Sequence, residues 1–132
     1  MIQIVIDRFR DRKHLLEAKF AEKHVDSYAE LVKMVIELLA DEEYTCEGFS
    51  ADAARIHQID DGDYQGTLVF VIGEKGYQPN RYWYARIYYG SCSGCDALQG
   101  IGNYSSEAPS AGQVAEYSLL ALHVVENLRE MN

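Results

Sequence analysis

The residues best equipped for chemistry lie between Tyr82 and Asp96, in the run Tyr-Trp-Tyr-Ala-Arg-Ile-Tyr-Tyr-Gly-Ser-Cys-Ser-Gly-Cys-Asp. Within it, Cys92-Ser93-Gly94-Cys95 has CxxC spacing and supports three readings. Two thiolates are half of a closed zinc site, so zinc at Cys92 and Cys95 needs Cys46 and either His57 or His123 brought alongside. A redox pair needs a thiol pKa lowered at a helix N-terminus, yet the preceding strand reads as antiparallel and no cis-proline partner is evident. The third reading is a tight structural turn whose cysteines are small apolar fillers. A thiol enzyme would further require Cys92 or Cys95 to meet His57 and Asp96.

The same loop has a second chemistry. Gly90, Ser91, Ser93 and Gly94 flank or interleave the cysteines, and small residues in succession can turn several backbone N–H groups toward one anion. With Arg86, Tyr88 and Asp96 this makes a candidate ligand set in which tyrosine rings stack on a base and the loop holds phosphate. No Lys-Ser/Thr ending follows, so the loop is not a P-loop, and no dinucleotide fingerprint is present.

Carboxylates form the other candidate surface. Residues 26–63 carry eleven acidic and two basic groups, which equals the net charge of −9 of the whole chain. Such a field disfavours nonspecific attachment to nucleic acid and attracts a basic protein. Asp41, Glu42, Glu43, Asp60, Asp61 and Asp63 are its densest points. Asp60-Asp61-Gly62-Asp63 lacks the alternating ligands and distal glutamate of an EF-hand and reads as a solvated turn.

These groups need elements to position them. Ile2, Ile4 and Ile6 alternate as in an opening strand but could equally lead into a helix, and the pattern is helical from about Arg8 to Lys23, with Asp7 as a cap. His14 and His24 fall on its exposed side. Ser27 and Glu30 form a capping box for a second helix carrying Leu31, Val32, Val35, Leu38 and Leu39. That helix ends against Asp41-Glu42-Glu43, carboxylates that oppose the dipole and should face solvent. Residues 44–54 read as a connection with one helical turn at Ser50–Ala54. Arg55–Ile59, Tyr64–Ile72 and Arg81–Tyr89 read as three strands joined by short polar loops, hence an antiparallel meander. One helical turn at Asp96–Gln99 follows, and Ser110 with Gln113 caps a closing helix that runs to about Glu130. The expected fold is α+β: a small antiparallel sheet of three to four strands against two N-terminal helices and a C-terminal helix, in a single domain spanning 1–132.

At 132 residues the chain can bury a core without metal or disulfide. No apolar run is long enough to span a bilayer. The N-terminal stretch lacks the basic leader and cleavage site of a signal peptide, and three cysteines do not suggest a secreted scaffold. A reducing cytoplasm is the expected setting. Two broad apolar helices and a tyrosine-rich strand suit a homodimer.

From Asp63-Tyr64-Gln65-Gly66-Thr67 through Tyr77-Gln78-Pro79 and, above all, in Tyr89-Gly90-Ser91-Cys92-Ser93-Gly94-Cys95-Asp96 with Ala97-Leu98-Gln99, the sequence resembles small uncharacterised proteins of tailed phages and prophages. The resemblance implies a setting, the cytoplasm of an infected bacterium, and no activity or catalytic residue. The sequence reading is therefore a non-catalytic phage-type accessory protein that binds and inhibits a basic host defence or regulatory protein through its acidic surface. The alternatives are a nucleotide- or zinc-binding protein that uses the strand-end loop, and a thiol-dependent enzyme.

Overall fold

A computed structural model describes residues 2–43, 48–60, 62, 66–76, 78–90, 96–102 and 107–131. The chain opens with helix α1 (Ile2–Glu22) and helix α2 (Tyr28–Leu39). Strands β1 (Ala51–Asp60), β2 (Gly66–Glu74) and β3 (Tyr82–Tyr89) follow, then helices α3 (Ala97–Gly102) and α4 (Ala111–Asn127) and a two-residue strand β4 (Arg129–Glu130). The four strands form one antiparallel sheet in the order β1-β2-β3-β4. This is the α+β arrangement expected from the sequence.

α1 begins six residues earlier than its charged periodicity indicates, and there is no opening strand. A strand would have put Ile2, Ile4 and Ile6 on one face. The helix instead buries Val5 with Phe9, Leu16 and Phe20 and leaves Ile4 exposed, because a period of 3.6 aligns those four positions. Asp7 is therefore inside the helix and caps nothing. α2 starts where its capping signal lies: Ser27 Oγ accepts from the Glu30 N–H at 3.1 Å, while Glu30 Oε2 accepts from the Asp26 N–H at 3.0 Å. The closing capping box is also present, with Ser110 and Gln113 bonding each other's backbone N–H groups.

The acidic end of α2 is less exposed than its sequence suggests. α1 sends Arg8 and Arg12 onto the last turn of α2, donating to Leu39 O and Leu38 O at 2.8 Å each. Arg8 also pairs with the half-buried Asp41 at 2.6 Å. Cations on the orphan carbonyls of a helix C-terminus offset the carboxylates that follow it. Glu42 and Glu43 do face solvent.

Residues 51–54 belong to β1 and not to a helical turn. The register slips between Ala51 and Ile56, where Asp52 accepts from the Ala54 N–H at 2.9 Å, so the segment is bulged and its alternation is hidden. At the other end of the chain α4 stops at Asn127 rather than near Glu130, and the last residues turn back as β4 beside Trp83 and Tyr84. Two residues carry too little pattern to announce a strand.

All long helices lie on one side of the sheet. α2 packs on β1, α4 packs on β3, and α1 lies across α2 and α4. The core between these layers holds Phe70, Ile72, Trp83, Leu31, Val35, Ile36 and Tyr117. Trp83 is fully buried, edge-on to Phe49 at 5.0 Å, with the Arg81 guanidinium 4.8 Å from its ring. Glu74, also fully buried, accepts from Ser50 Oγ at 3.2 Å and faces Arg81 at 3.7 Å, so its charge is matched inside the fold. His24 is not on an exposed helix face. It follows α1, half-buried, with Nδ1 2.8 Å from Tyr117 Oη.

Candidate functional site

Tyr89 and Asp96, which flank the strand-end loop, line a cleft. Its base is Asp96, a buried carboxylate. Asp96 Oδ1 accepts from the Tyr28 hydroxyl at 2.9 Å and from the Gln99 N–H at 3.0 Å, and Oδ2 accepts from the Gly90 N–H at 2.9 Å. The Gly90 and Gln99 bonds fasten the exit of β3 to the start of α3, and the Tyr28 bond ties both to the N-terminus of α2. Tyr28 Oη in turn accepts from the Leu98 N–H at 3.3 Å. Burial, with a further contribution from Asp96, pushes the Tyr28 pKa well above its ordinary value, so the phenol remains a donor.

Over this base lies a cavity of about 250 Å³ whose walls are Asp26, Ser27, Tyr28 and Ala29 from the start of α2, Gln58, Asp60, Leu68 and Tyr89 from the sheet, and Asp96, Leu98 and Gln99. No Lys, Arg or His is among these lining residues. Carboxylates and side-chain amides surrounding a small cavity suit a cationic, donor-rich group and repel a phosphate. Asp60 is held in place by the Tyr89 hydroxyl at 2.7 Å and the Gly62 N–H at 3.0 Å. The tyrosine first, then the Gly62 N–H, keep its carboxyl below the usual carboxylate value.

A depressed folded-state pKa stabilises the fold above the ordinary carboxylate value, and the contribution disappears as pH falls through the lower folded value. Tyr89→Phe is therefore expected to reduce stability at neutral pH and to converge with the unsubstituted protein well below the carboxylate range. Urea unfolding at the two pH values reads this directly. A gap that stays constant with pH would assign the loss to packing alone.

The ligand residues expected from the sequence are divided. Gly90 is buried and Asp96 is occupied by three hydrogen bonds, both beside the carboxylate cleft. Arg86 and Tyr88 are not among its walls: they stand on the opposite face of β3 and border a second groove of about 250 Å³ at the edge of that strand, with Leu120, His123 and Asn127 of α4. Ser91, Cys92, Ser93, Gly94 and Cys95 lie outside the described residues, as do Cys46, Asp61 and Asp63. Among the described residues no group of three or more His, Cys, Asp or Glu is placed to hold a metal ion.

His57 is on β1 and His123 on α4 beside β3, at opposite sides of the sheet, so they cannot ligate the same ion. His57 pairs with Val71 on the face away from the helices, and Asp96 sits on the helical side, so those two do not form one catalytic constellation. The acidic block is divided as well. Asp41 N donates to Phe49 O near the start of β1, and Asp60 ends that strand, roughly 30 Å away at about 3.3 Å per residue.

Asp26, Tyr28, Gln58 and Tyr89 are members of the cleft that sequence reasoning did not single out. Nothing local marks them: Ser27 and Tyr28 read as helix capping, and their meeting with Asp96 spans 68 positions. Comparison with protein-family models, curated proteins and solved structures finds no match to this chain. Among the described residues no helix is long and apolar enough to cross a membrane.

Proposed function

We propose that the protein is a non-catalytic, phage-type accessory protein that binds a basic protein of the bacterial host, in the host cytoplasm, and inhibits it through its acidic surface. The observation that carries this reading is the cleft at the strand end, walled by Asp26 and Asp60 over the buried Asp96, with no basic side chain lining it. A lysine or arginine side chain of a partner supplies the charge and the donors that this lining lacks. Glu42 and Glu43, at the far end of β1, form a separate acidic point, so one partner engages one end. The cavity is too small for most of a folded surface and fits one or two inserted side chains.

The test uses an arginine-rich peptide labelled for fluorescence anisotropy. Binding is expected to weaken as salt rises, and the double change Asp26→Asn with Asp60→Asn is expected to weaken it about tenfold or more, in line with losing charge-assisted contacts. Glu42→Gln with Glu43→Gln leaves it within about twofold, since exposed charges a strand-length away are screened. Equal effects from both pairs would reduce the reading to bulk charge, and no binding at any salt would overturn it.

A further inference from the structure

Among the described residues the helices pack on one face of the sheet, and no helix lies on the other. Along β3 the uncovered positions are Tyr82, Tyr84, Arg86 and Tyr88, alternating with the buried Trp83, Ala85 and Ile87. Val69 and Val71 of β2 stand opposite Arg86 and Tyr84, and Arg129 of β4 stands on the other side of Tyr84. Tyr88 is 63% exposed and Tyr82 41%.

The charge on this face is unlike that of the chain. Among the described residues no Asp or Glu occupies an outward position in the paired registers of β2 and β3, and Arg86 has no carboxylate partner. The Arg86 guanidinium instead lies 5.5 Å from the centre of the Tyr84 ring. The groove it borders continues to His123 and also lacks a carboxylate. A sum of −9 over the whole chain hides a basic, aromatic face set apart from the acidic ends. At physiological ionic strength the acidic field reaches only about 8 Å from its own surface.

Tyrosine rings in a row along a strand, with Arg86 between Tyr84 and Tyr88 and no carboxylate among the described outward positions of β2 and β3, complement a polyanion that carries flat apolar groups. We propose that this open face binds single-stranded nucleic acid, with bases stacked on Tyr82, Tyr84 and Tyr88 and a phosphate held by Arg86, since the Arg129 guanidinium is turned onto the carbonyls of Glu126 and Leu128. A duplex keeps its bases inside the helix and cannot use the rings. The face offers stacking and charge and nothing that reads a 2′-hydroxyl, so DNA and RNA single strands are equivalent ligands. A second copy of the chain fits less well: two such faces apposed bring arginines together with no carboxylate between them, on bodies that already repel. The site is distinct from the carboxylate cleft and does not depend on it.

The test is fluorescence anisotropy with labelled oligo-dT and oligo-U of roughly 12 nucleotides, and a duplex of the same length. Both single strands are expected to bind and the duplex to bind at least tenfold more weakly. Tyr84→Ala and Tyr88→Ala are each expected to weaken binding about tenfold, while Tyr88→Phe keeps it, because stacking on one ring accounts for a factor of that order. Arg86→Ala weakens it and lowers the salt dependence, which for one phosphate contact has a slope of about −0.7. Asp26→Asn with Asp60→Asn does not weaken it, which separates this site from the cleft. Arg86 and Tyr88 are exposed and Tyr84 is half-buried on the face, outside the core, so unchanged circular dichroism accompanies each loss. Absence of binding to either strand overturns the proposal. So does equal binding of duplex, indifference to both tyrosine substitutions, or displacement of the oligonucleotide by poly-glutamate as efficiently as by unlabelled oligo-dT, which would make the face an acidic-peptide site.

Discussion

Replacing Trp83 by alanine is expected to lower the unfolding free energy by about 3–5 kcal/mol, the range for deleting a large buried aromatic residue. Single domains have about 5–15 kcal/mol in total, so this change alone threatens the fold. The ring is fully buried on the central strand β3, edge-on to Phe49 and stacked under Arg81, so its loss empties the junction of the sheet with the segment before β1. Trp83 Nε1 is buried with no hydrogen-bond partner among the described residues. Trp83→Phe removes that unsatisfied donor together with part of the volume, and the two effects oppose each other. The expected order of stability is therefore unsubstituted, then Phe close behind, then Ala far below. Urea denaturation followed by far-ultraviolet circular dichroism measures all three, since the only tryptophan is the residue being changed. An alanine variant within about 1 kcal/mol of the unsubstituted protein would show that the core collapses around the site.

The second large effect is at Asp96. Asp96→Ala is expected to cost about 3 kcal/mol, because it strands the Tyr28 hydroxyl and the Gly90 N–H in buried surroundings at about 1–3 kcal/mol each. Asp96→Asn is expected to fall between, since its carboxamide can accept from one donor but presents an NH₂ to another. The contrast matters for function. A carboxylate whose task is to hold a ligand can become an amide without loss of stability, whereas one that joins three chain segments cannot. A double change with Tyr28→Phe tests the coupling: the cost of Asp96→Ala should shrink by about 0.5–3 kcal/mol once the phenol is gone. Strict additivity would mean that Tyr28 and Asp96 do not depend on each other.

Local chemistry made most elements legible in the sequence. Both helix-start signals, at Ser27 and Ser110, act within three residues, and the alternation from Tyr82 to Tyr89 reports a strand with one buried face. Local chemistry also misled where two periods fit the same few residues. Ile2, Ile4 and Ile6 satisfy a strand as well as a helix, and only packing of Val5 with Phe9 and Phe20 decides between them. The bulge at Asp52 and the two-residue β4 left no pattern to read.

The candidate site was legible by location and not by membership. Asp96 does line a cleft beside the strand end, yet the other carboxylates and amides of its walls come from the approach to α2, from β1 and from α3. Tyr28 reads as part of a helix cap until it is seen to bond Asp96.

The class of fold, the order of its main elements and the segregation of charge along the chain are all written in the order of residues. Those depend on contacts a few residues apart and on composition. The tertiary structure alone decided which of those charges are neighbours. It divided the acidic block between the two ends of β1, matched Asp41 with Arg8, buried Asp96, and turned Arg86, Tyr82, Tyr84 and Tyr88 to a face that no described helix covers. The physical reason is that strand pairing and helix docking bring together residues separated by tens of positions, and electrostatics acts over ångströms in space rather than over distance along the chain.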